Sequence, residues 1–264
     1  MWNIIKRQFT EQKNSVLIYI IGISAYCLLM ISLFPSLQKM DIKAMMSQMP
    51  EQFTKFFGND LTSAYTSIEG YLSMEFLSFF FILIVLFYVG SAAGSAIAGQ
   101  IEKKTMDFNL SQPIPRTKFV ISQSVIALLY SMGIVLATAL SMFVFGKIFN
   151  AEFKITGLLA FSAFVTLFVW AFYGIGIFLS SFLRSKMSVM LAVVMFGLAS
   201  YVFLSLTRMV DSIKDLDYLS IFHLYDPQKI LQTGELNLSN LIVLAGIFLI
   251  GLTGSVIIFN KKDV

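Results

Sequence analysis

The sequence predicts an all-α integral membrane protein with six transmembrane helices. Of its 264 residues, 57% are hydrophobic and 13% are charged, which is about half the charged share of a typical soluble domain. The mean hydropathy is +0.80. This composition excludes a water-soluble globular protein. It also excludes a disordered chain, because disordered chains are poor in apolar residues and carry a high net charge. We predict a single transmembrane domain over residues 1–264.

Six runs without Asp, Glu, Lys or Arg supply the spans. The shortest run has 21 residues, and about 20 apolar residues in a helix cross the hydrocarbon core of a bilayer. Helices suit these runs, because a lipid-exposed backbone must satisfy its own hydrogen bonds and the strands of a barrel are only about ten residues long. The predicted spans are 14–38, 76–101, 119–146, 155–183, 187–207 and 236–260.

The charges outside the spans predict the orientation. The segments on the side of the termini hold 11 Lys and Arg against 4 Asp and Glu, a net charge of +7, whereas the opposite segments hold 8 against 11, a net charge of −3. Cytoplasmic loops carry the excess of basic residues, so both termini are expected in the cytoplasm. The sequence pI near 9.0 therefore reflects topology, and we expect no nucleic-acid partner.

The segments between the spans are amphipathic. Trp2, Ile5 and Phe9 recur at helical spacing, which predicts an N-terminal amphipathic interfacial helix over residues 1–13, with a frayed tail as the alternative. The outer segments 39–75 and 208–235 show similar patterns. They either cap the outer mouth of a pathway or lie as ordinary lids at the headgroup level.

Small residues follow one another near the end of span 2. Gly90, Gly94 and Ala98 are spaced by four residues, so they form one ridge along which another helix can approach closely. The sequence leaves open whether that helix belongs to the same chain or to a second copy.

Residues suited to catalysis are scarce. No phosphate-binding Gly-x-x-x-x-Gly-Lys-Ser/Thr run occurs, and one Cys and one His leave no ligand cluster, so we predict no catalytic, cofactor-binding or metal site. Glu75, at the outer start of span 2, either contacts a cationic substrate or takes part in gating, or it simply anchors the end of the span. His223 is either proton-linked or an ordinary solvated loop histidine.

The inner loop 102–118 is the most informative segment. A short helix over about 103–111 would end before Pro113 and Pro115, and would carry Met106, Phe108 and Leu110 beside charged residues. Exposed apolar groups framed by charge suit docking to a soluble partner, although a simple connector fits the pattern as well.

The same loop carries a family resemblance. The run Ala98-Gly99-Gln100-Ile101-Glu102-Lys103-Lys104-Thr105, followed by Leu110 and then Pro113-Ile114-Pro115-Arg116, resembles the signature of ABC-2-type transporter permeases. That signature is a small-residue stretch, a Glu-Lys/Arg-Gly-Thr element, leucines and Pro-x-x-Arg. Lys104 stands where the family often has Gly. The segment 218–227 also resembles the outer segment that precedes span 6 in the family.

The resemblance implies the fold of a type V ABC exporter in a bacterial cytoplasmic membrane. Two copies of the permease would pair, and each would bind a separate ABC ATPase subunit that carries ATP and Mg. The loop after span 2 would form a short cytoplasmic coupling helix seated on the ATPase. Carried over to this sequence, the coupling residues are Glu102, Lys103, Lys104, Thr105, Met106, Asp107, Phe108 and Leu110.

The cargo is a further expectation. The amphipathic outer segments, 14 Met and 27 Phe suit amphipathic peptides or hydrophobic drugs, because Met-rich surfaces adapt to varied apolar shapes. The cargo would pass between the two copies along spans 2 and 5. The alternatives are an ion-coupled secondary transporter or channel, which needs ionisable residues at mid-depth, and a membrane-embedded enzyme, which needs a reactive cluster.

Overall fold

Six helices make up most of the structure. The computed structural model describes residues 2–37, 65–105 and 115–261, and for residues 2–8, 10, 11 and 211 the backbone alone. All six helices are long and apolar enough to cross a membrane, which confirms the predicted number. They are span 1 (Trp2–Leu37), span 2 (Ile68–Ala96), span 3 (Arg116–Ile148), span 4 (Ile155–Ser180), span 5 (Lys186–Met209) and span 6 (Leu238–Lys261).

Span 1 differs from the prediction at its N-terminal end. We predicted a separate interfacial helix over 1–13, but the structure has one uninterrupted helix from Trp2 to Leu37. Phe9 stacks on Tyr130 with ring centroids 4.7 Å apart, and the Tyr130 hydroxyl donates to the Phe9 carbonyl oxygen. Because Tyr130 lies in the middle of span 3, this part of span 1 runs alongside the bundle. No Gly or Pro stands between residues 2 and 21 to break the helix.

Span 2 begins eight residues earlier than predicted. The Ser67 side chain accepts the Gly70 amide and so caps the helix that begins at Ile68. The backbone then widens into a π-helical stretch, Ser73–Phe81, before it returns to α-helix. The prediction began the span at residue 76 because it took the charge of Glu75 as the boundary of the apolar run. The structure places Glu75 inside the helix.

A short irregular segment covers one end of the bundle, and we call it the lid segment (211–233). It consists of the 3₁₀-helices Asp211–Leu219 and Ile221–Leu224 and the α-helix Pro227–Thr233. The Tyr225 hydroxyl donates to the Leu77 carbonyl oxygen at 3.1 Å, and Lys154 Nζ donates to the Gln232 carbonyl oxygen at 3.0 Å. The lid segment is therefore joined to spans 2 and 4. In the other predicted outer segment, 39–75, residues 39–64 lie outside the described residues.

Span 4 lies at the centre of the bundle. It packs against spans 2, 3, 5 and 6, and its contact with span 6 is the most extensive in the described chain. Its buried face is a column of phenylalanine rings that are almost wholly removed from the surface: Phe161, Phe164, Phe168 and Phe172. The hydrophobic effect does not drive helix association within a membrane, because lipid tails are themselves apolar. Close van der Waals packing therefore holds these helices together.

Candidate functional site

A break after span 2 separates it from a short helix, Ala98–Glu102. At Ile97 the backbone has φ −124° and ψ −62°, outside the helical region. The Ala98 amide donates to the Ser180 hydroxyl at 3.0 Å, so the last residue of span 4 satisfies a donor at the start of the short helix. We call the region where spans 2, 4 and 5 end or begin, residues 97–105 and 180–186, the junction.

The small residues of span 2 face span 5 of the same chain. A Cβ atom at Gly90 would lie 3.0 Å from the Met190 Cα atom, and one at Gly94 would lie 2.6 Å from the Lys186 carbonyl oxygen. The distance at Gly94 is shorter than any real Cβ atom allows, and the distance at Gly90 lies at that limit. Only glycine therefore permits this approach of the two helices. Ala98 is fully buried at the start of the short helix.

The short helix ends in a Schellman motif. The Lys104 amide donates to the Ile101 carbonyl oxygen, and the Thr105 amide donates to the Gln100 carbonyl oxygen, both at 3.0 Å. The Thr105 hydroxyl adds a bond to the Gln100 side chain at 2.7 Å. This motif requires a left-handed residue, and Lys104 supplies it with φ 54°. A non-glycine residue there costs roughly 1 kcal/mol.

The carboxylate of Glu102 caps the beginning of span 5. Its Oε2 atom accepts the Lys186 amide at 2.9 Å, and its Oε1 atom accepts the Ser185 hydroxyl at 3.4 Å. A helix begins with unpaired amides and a partial positive charge, so a carboxylate stabilises it at that end. The acidic residue of the signature therefore ties the short helix after span 2 to span 5.

Removal of this cap gives a local prediction. Glu102→Ala should raise the hydrogen-exchange rate of the first amides of span 5 about fivefold, as expected for a lost cap of about 1 kcal/mol. Glu102→Gln keeps an acceptor oxygen and serves as the matched control, with an exchange rate between those of the other two proteins. Equal exchange at residues 186–189 in Glu102→Ala and in the unmodified chain would show that the cap contributes nothing.

On the other side of the inner loop, Arg116 binds the end of span 6. Its Nη1 atom donates to the Phe259 carbonyl oxygen at 3.0 Å, and its guanidinium group lies 5.6 Å from the centroid of the Phe259 ring. The Asn260 side chain donates to the Thr117 hydroxyl at 3.1 Å. A cation is favoured at the C-terminal end of a helix, where carbonyl groups lack partners.

The inner loop is thus fixed at both ends to different spans. Glu102 is joined to the start of span 5 and Arg116 to the end of span 6. Lys103 is the exposed C-cap residue of the short helix. The remaining predicted coupling residues, Met106, Asp107, Phe108 and Leu110, lie outside the described residues.

Glu75 and His223 both have specific partners. The Tyr65 hydroxyl donates to Glu75 Oε1, and burial followed by this hydrogen bond raises the pKa of Tyr65. In the lid segment, His223 Nδ1 lies 3.0 Å from Asp217 Oδ2. The His223 side chain is 43% exposed and the Asp217 side chain 40%. The structure therefore places His223 in the 3₁₀-helix Ile221–Leu224, beside the Asp217 carboxylate and in a different part of the chain from Glu75.

Sequence reasoning missed several of these contacts. It assigned no role to Arg116, although the Pro-x-x-Arg element drew attention to this residue. It gave no sign of Ser180, which acts on a residue 82 positions away. It also gave no sign of Asp217, which lies close to His223 along the chain but stands in no recognisable motif.

The described residues define a multi-pass membrane protein whose helices are linked at a polar junction. A family model described as "ABC-2 family transporter protein" matches residues 14–264. The chain therefore belongs to the ABC-2 transporter family, whose members are membrane permease subunits that normally work with an ABC ATPase. No curated protein and no solved structure matches the chain. A left-handed backbone favours glycine, which is the residue that the resemblance leads us to expect at the position of Lys104.

Proposed function

We propose that the chain is the permease subunit of an ATP-driven exporter in a bacterial cytoplasmic membrane, with both termini in the cytoplasm. Membership of the ABC-2 family carries this proposal. The positive-inside bias supports the orientation, because it places the junction and the inner loop on the side where a cytoplasmic ATPase can reach them.

The two anchored ends of the inner loop support a route for coupling. An ATPase that moves residues 102–110 would pull on Glu102 and, through the rest of the loop, on Arg116. These residues bind the start of span 5 and the end of span 6, respectively. A small displacement at the loop would therefore reach two spans, and packed helices respond to such displacements by switching between discrete arrangements. ATP and Mg would be held by the partner subunit.

Two copies of the chain would form the transport pathway along spans 2 and 5. These spans already pack tightly within one chain at Gly90 and Gly94. Span 5 also exposes large apolar side chains, among them Met187, Met195 and Phe196. A surface of this kind suits contact with lipid, with a second copy or with an apolar cargo. The cargo class we propose is amphipathic peptides or hydrophobic drugs.

Reconstitution tests this proposal. The chain, purified with an ABC ATPase subunit encoded beside it and placed in liposomes, should move a fluorescent amphipathic peptide only when ATP and Mg are present. Vanadate, which traps ABC ATPases, should stop the movement. Movement that persists without ATP and follows an ion gradient would instead support an ion-coupled transporter, and chemical conversion of the peptide would support an enzyme.

A further inference from the structure

Glu75 occupies an unusual position for a carboxylate. It lies seven residues after the start of span 2, which is about 10 Å along a helix axis. A helix of 29 residues is longer than the roughly 30 Å of hydrocarbon that it crosses, so Glu75 lies near the boundary of the hydrocarbon at the lid end. An ionised carboxylate at this depth is costly unless a cation or water balances it.

The described partners of Glu75 do not balance its charge. The Tyr65 hydroxyl donates to its Oε1 atom. The carboxylate also lies close enough to the hydroxyls of Tyr26 and Tyr71 to act on them electrostatically. Among the residues that the structure describes, no Lys or Arg forms an ion pair with it. Neutral hydroxyl groups stabilise a carboxylate less than a cation does.

Aromatic rings pack against one another beside this part of span 2. The Tyr26 ring lies 5.1 Å from the Phe76 ring and 5.9 Å from the Phe80 ring, and the Tyr65 and Tyr71 rings are 5.9 Å apart. An ammonium group is attracted to the faces of aromatic rings, and quaternary ammonium ligands are recognised by cages of such rings. A carboxylate among tyrosines therefore presents the two features that bind this group.

The backbone here is also unusual. Glu75 belongs to the π-helical stretch Ser73–Phe81, and π-helical turns are rare and frequent at functional sites. Ser73, two residues before Glu75, is 3% exposed, and its hydroxyl has no hydrogen-bond partner within the described ranges. A buried polar atom without a partner is uncommon in proteins and calls for a functional explanation.

We propose that Glu75 and the rings of Tyr26, Tyr65 and Tyr71 form a binding site for an ammonium group. The ligand is either the cationic end of an amphipathic molecule or the ammonium headgroup of a lipid. In the first case the site selects cationic members of the cargo class, and that part rests on the proposed function. Binding itself does not depend on ATP or on a partner subunit.

Calorimetric titration of the purified full chain tests this site. In a maltoside detergent, which contains no ammonium group, the chain should bind benzyltrimethylammonium. Glu75→Gln should weaken binding at least about tenfold, because it removes the charge and keeps the shape. Glu69→Gln removes the other carboxylate of the same helix and should leave the affinity within about twofold. Equal affinity in Glu75→Gln and the unmodified chain, or no binding to the unmodified chain, overturns the proposal.

A second pair of variants guards against misfolding of Glu75→Gln. Tyr26→Leu should weaken binding several-fold, whereas Tyr26→Phe, which keeps the ring, should bind as the unmodified chain does. Equal binding by the two variants would contradict the role of the rings.

A lipid arm of the titration identifies the source of the ammonium group. Short-chain phosphatidylethanolamine should compete with the probe if a lipid headgroup is the ligand, with phosphatidylglycerol as the control. Without this competition, a free cation is the ligand, and either result supports an ammonium site. If reconstituted transport is ATP-driven but the Glu75 variant binds the probe normally, this inference fails while the proposed function stands.

Discussion

Gly251→Ala is expected to lower the stability of the chain by several kcal/mol. Span 6 crosses span 4 at Gly251 and Gly174, and a Cβ atom at Gly251 would lie 2.2 Å from the Gly174 carbonyl oxygen and 2.8 Å from its Cα atom. These are backbone atoms, so no side-chain rotation relieves the clash. Overpacking costs about 1–3 kcal/mol where side chains can shift, and we expect the upper part of this range or more. The midpoint of thermal unfolding in detergent should fall clearly.

Gly246 offers a matched control on the same helix. A Cβ atom there would meet no atom within 4 Å, and alanine favours a helix over glycine by up to about 1 kcal/mol. Gly246→Ala should therefore leave the midpoint unchanged or slightly higher. If both variants unfold at the same temperature as the unmodified chain, spans 4 and 6 do not cross as closely as described here.

Phe108→Asp is expected to abolish binding of the ABC ATPase subunit. On the proposed function, Phe108 and Leu110 supply the apolar contact of the coupling helix with the partner. An aspartate there would place a charge in a desolvated contact, which costs several kcal/mol when it has no partner. Leu110→Asp should act in the same way. Because both residues belong to an exposed loop in the sequence-based account, the fold of the permease itself should survive both changes.

The spans were predictable because the bilayer imposes a simple rule on the sequence. A run of about 20 apolar residues without charge is rare except in a transmembrane helix, and spans 3 to 6 begin and end within three residues of their predicted limits. The rule failed at the start of span 2, because the charge of Glu75 was taken as the boundary of the helix. Ser67 caps the helix before Glu69, and the Tyr65 hydroxyl donates to Glu75 within it.

The N-terminal residues show a different limit of sequence reasoning. The amphipathic pattern of residues 1–13 correctly indicated a helix, but periodicity describes only one helix at a time. It carries no information on whether the helix bends onto the membrane surface. The contact of Phe9 with Tyr130 decided this, and it joins residues that are 121 positions apart.

The junction shows what a motif reveals and what it leaves out. The resemblance identified Glu102 and Lys104, but not their physical roles. Glu102 caps span 5, and Lys104 occupies the left-handed position of a helix C-terminus. Both roles depend on where another span begins or where the chain turns, which only three-dimensional coordinates provide. Arg116 and its contact with Phe259 were unpredictable for the same reason.

Co-purification with the ABC ATPase subunit tests the central claim most directly. A tagged chain should retain the ATPase and its lipid-dependent ATP hydrolysis, and so should the control Leu236→Asp, which alters a leucine that is 37% exposed in the loop before span 6. Phe108→Asp and Leu110→Asp should lose the ATPase while they elute as folded permease. If both variants retain the complex and full ATP turnover, the inner loop does not couple this permease to its ATPase.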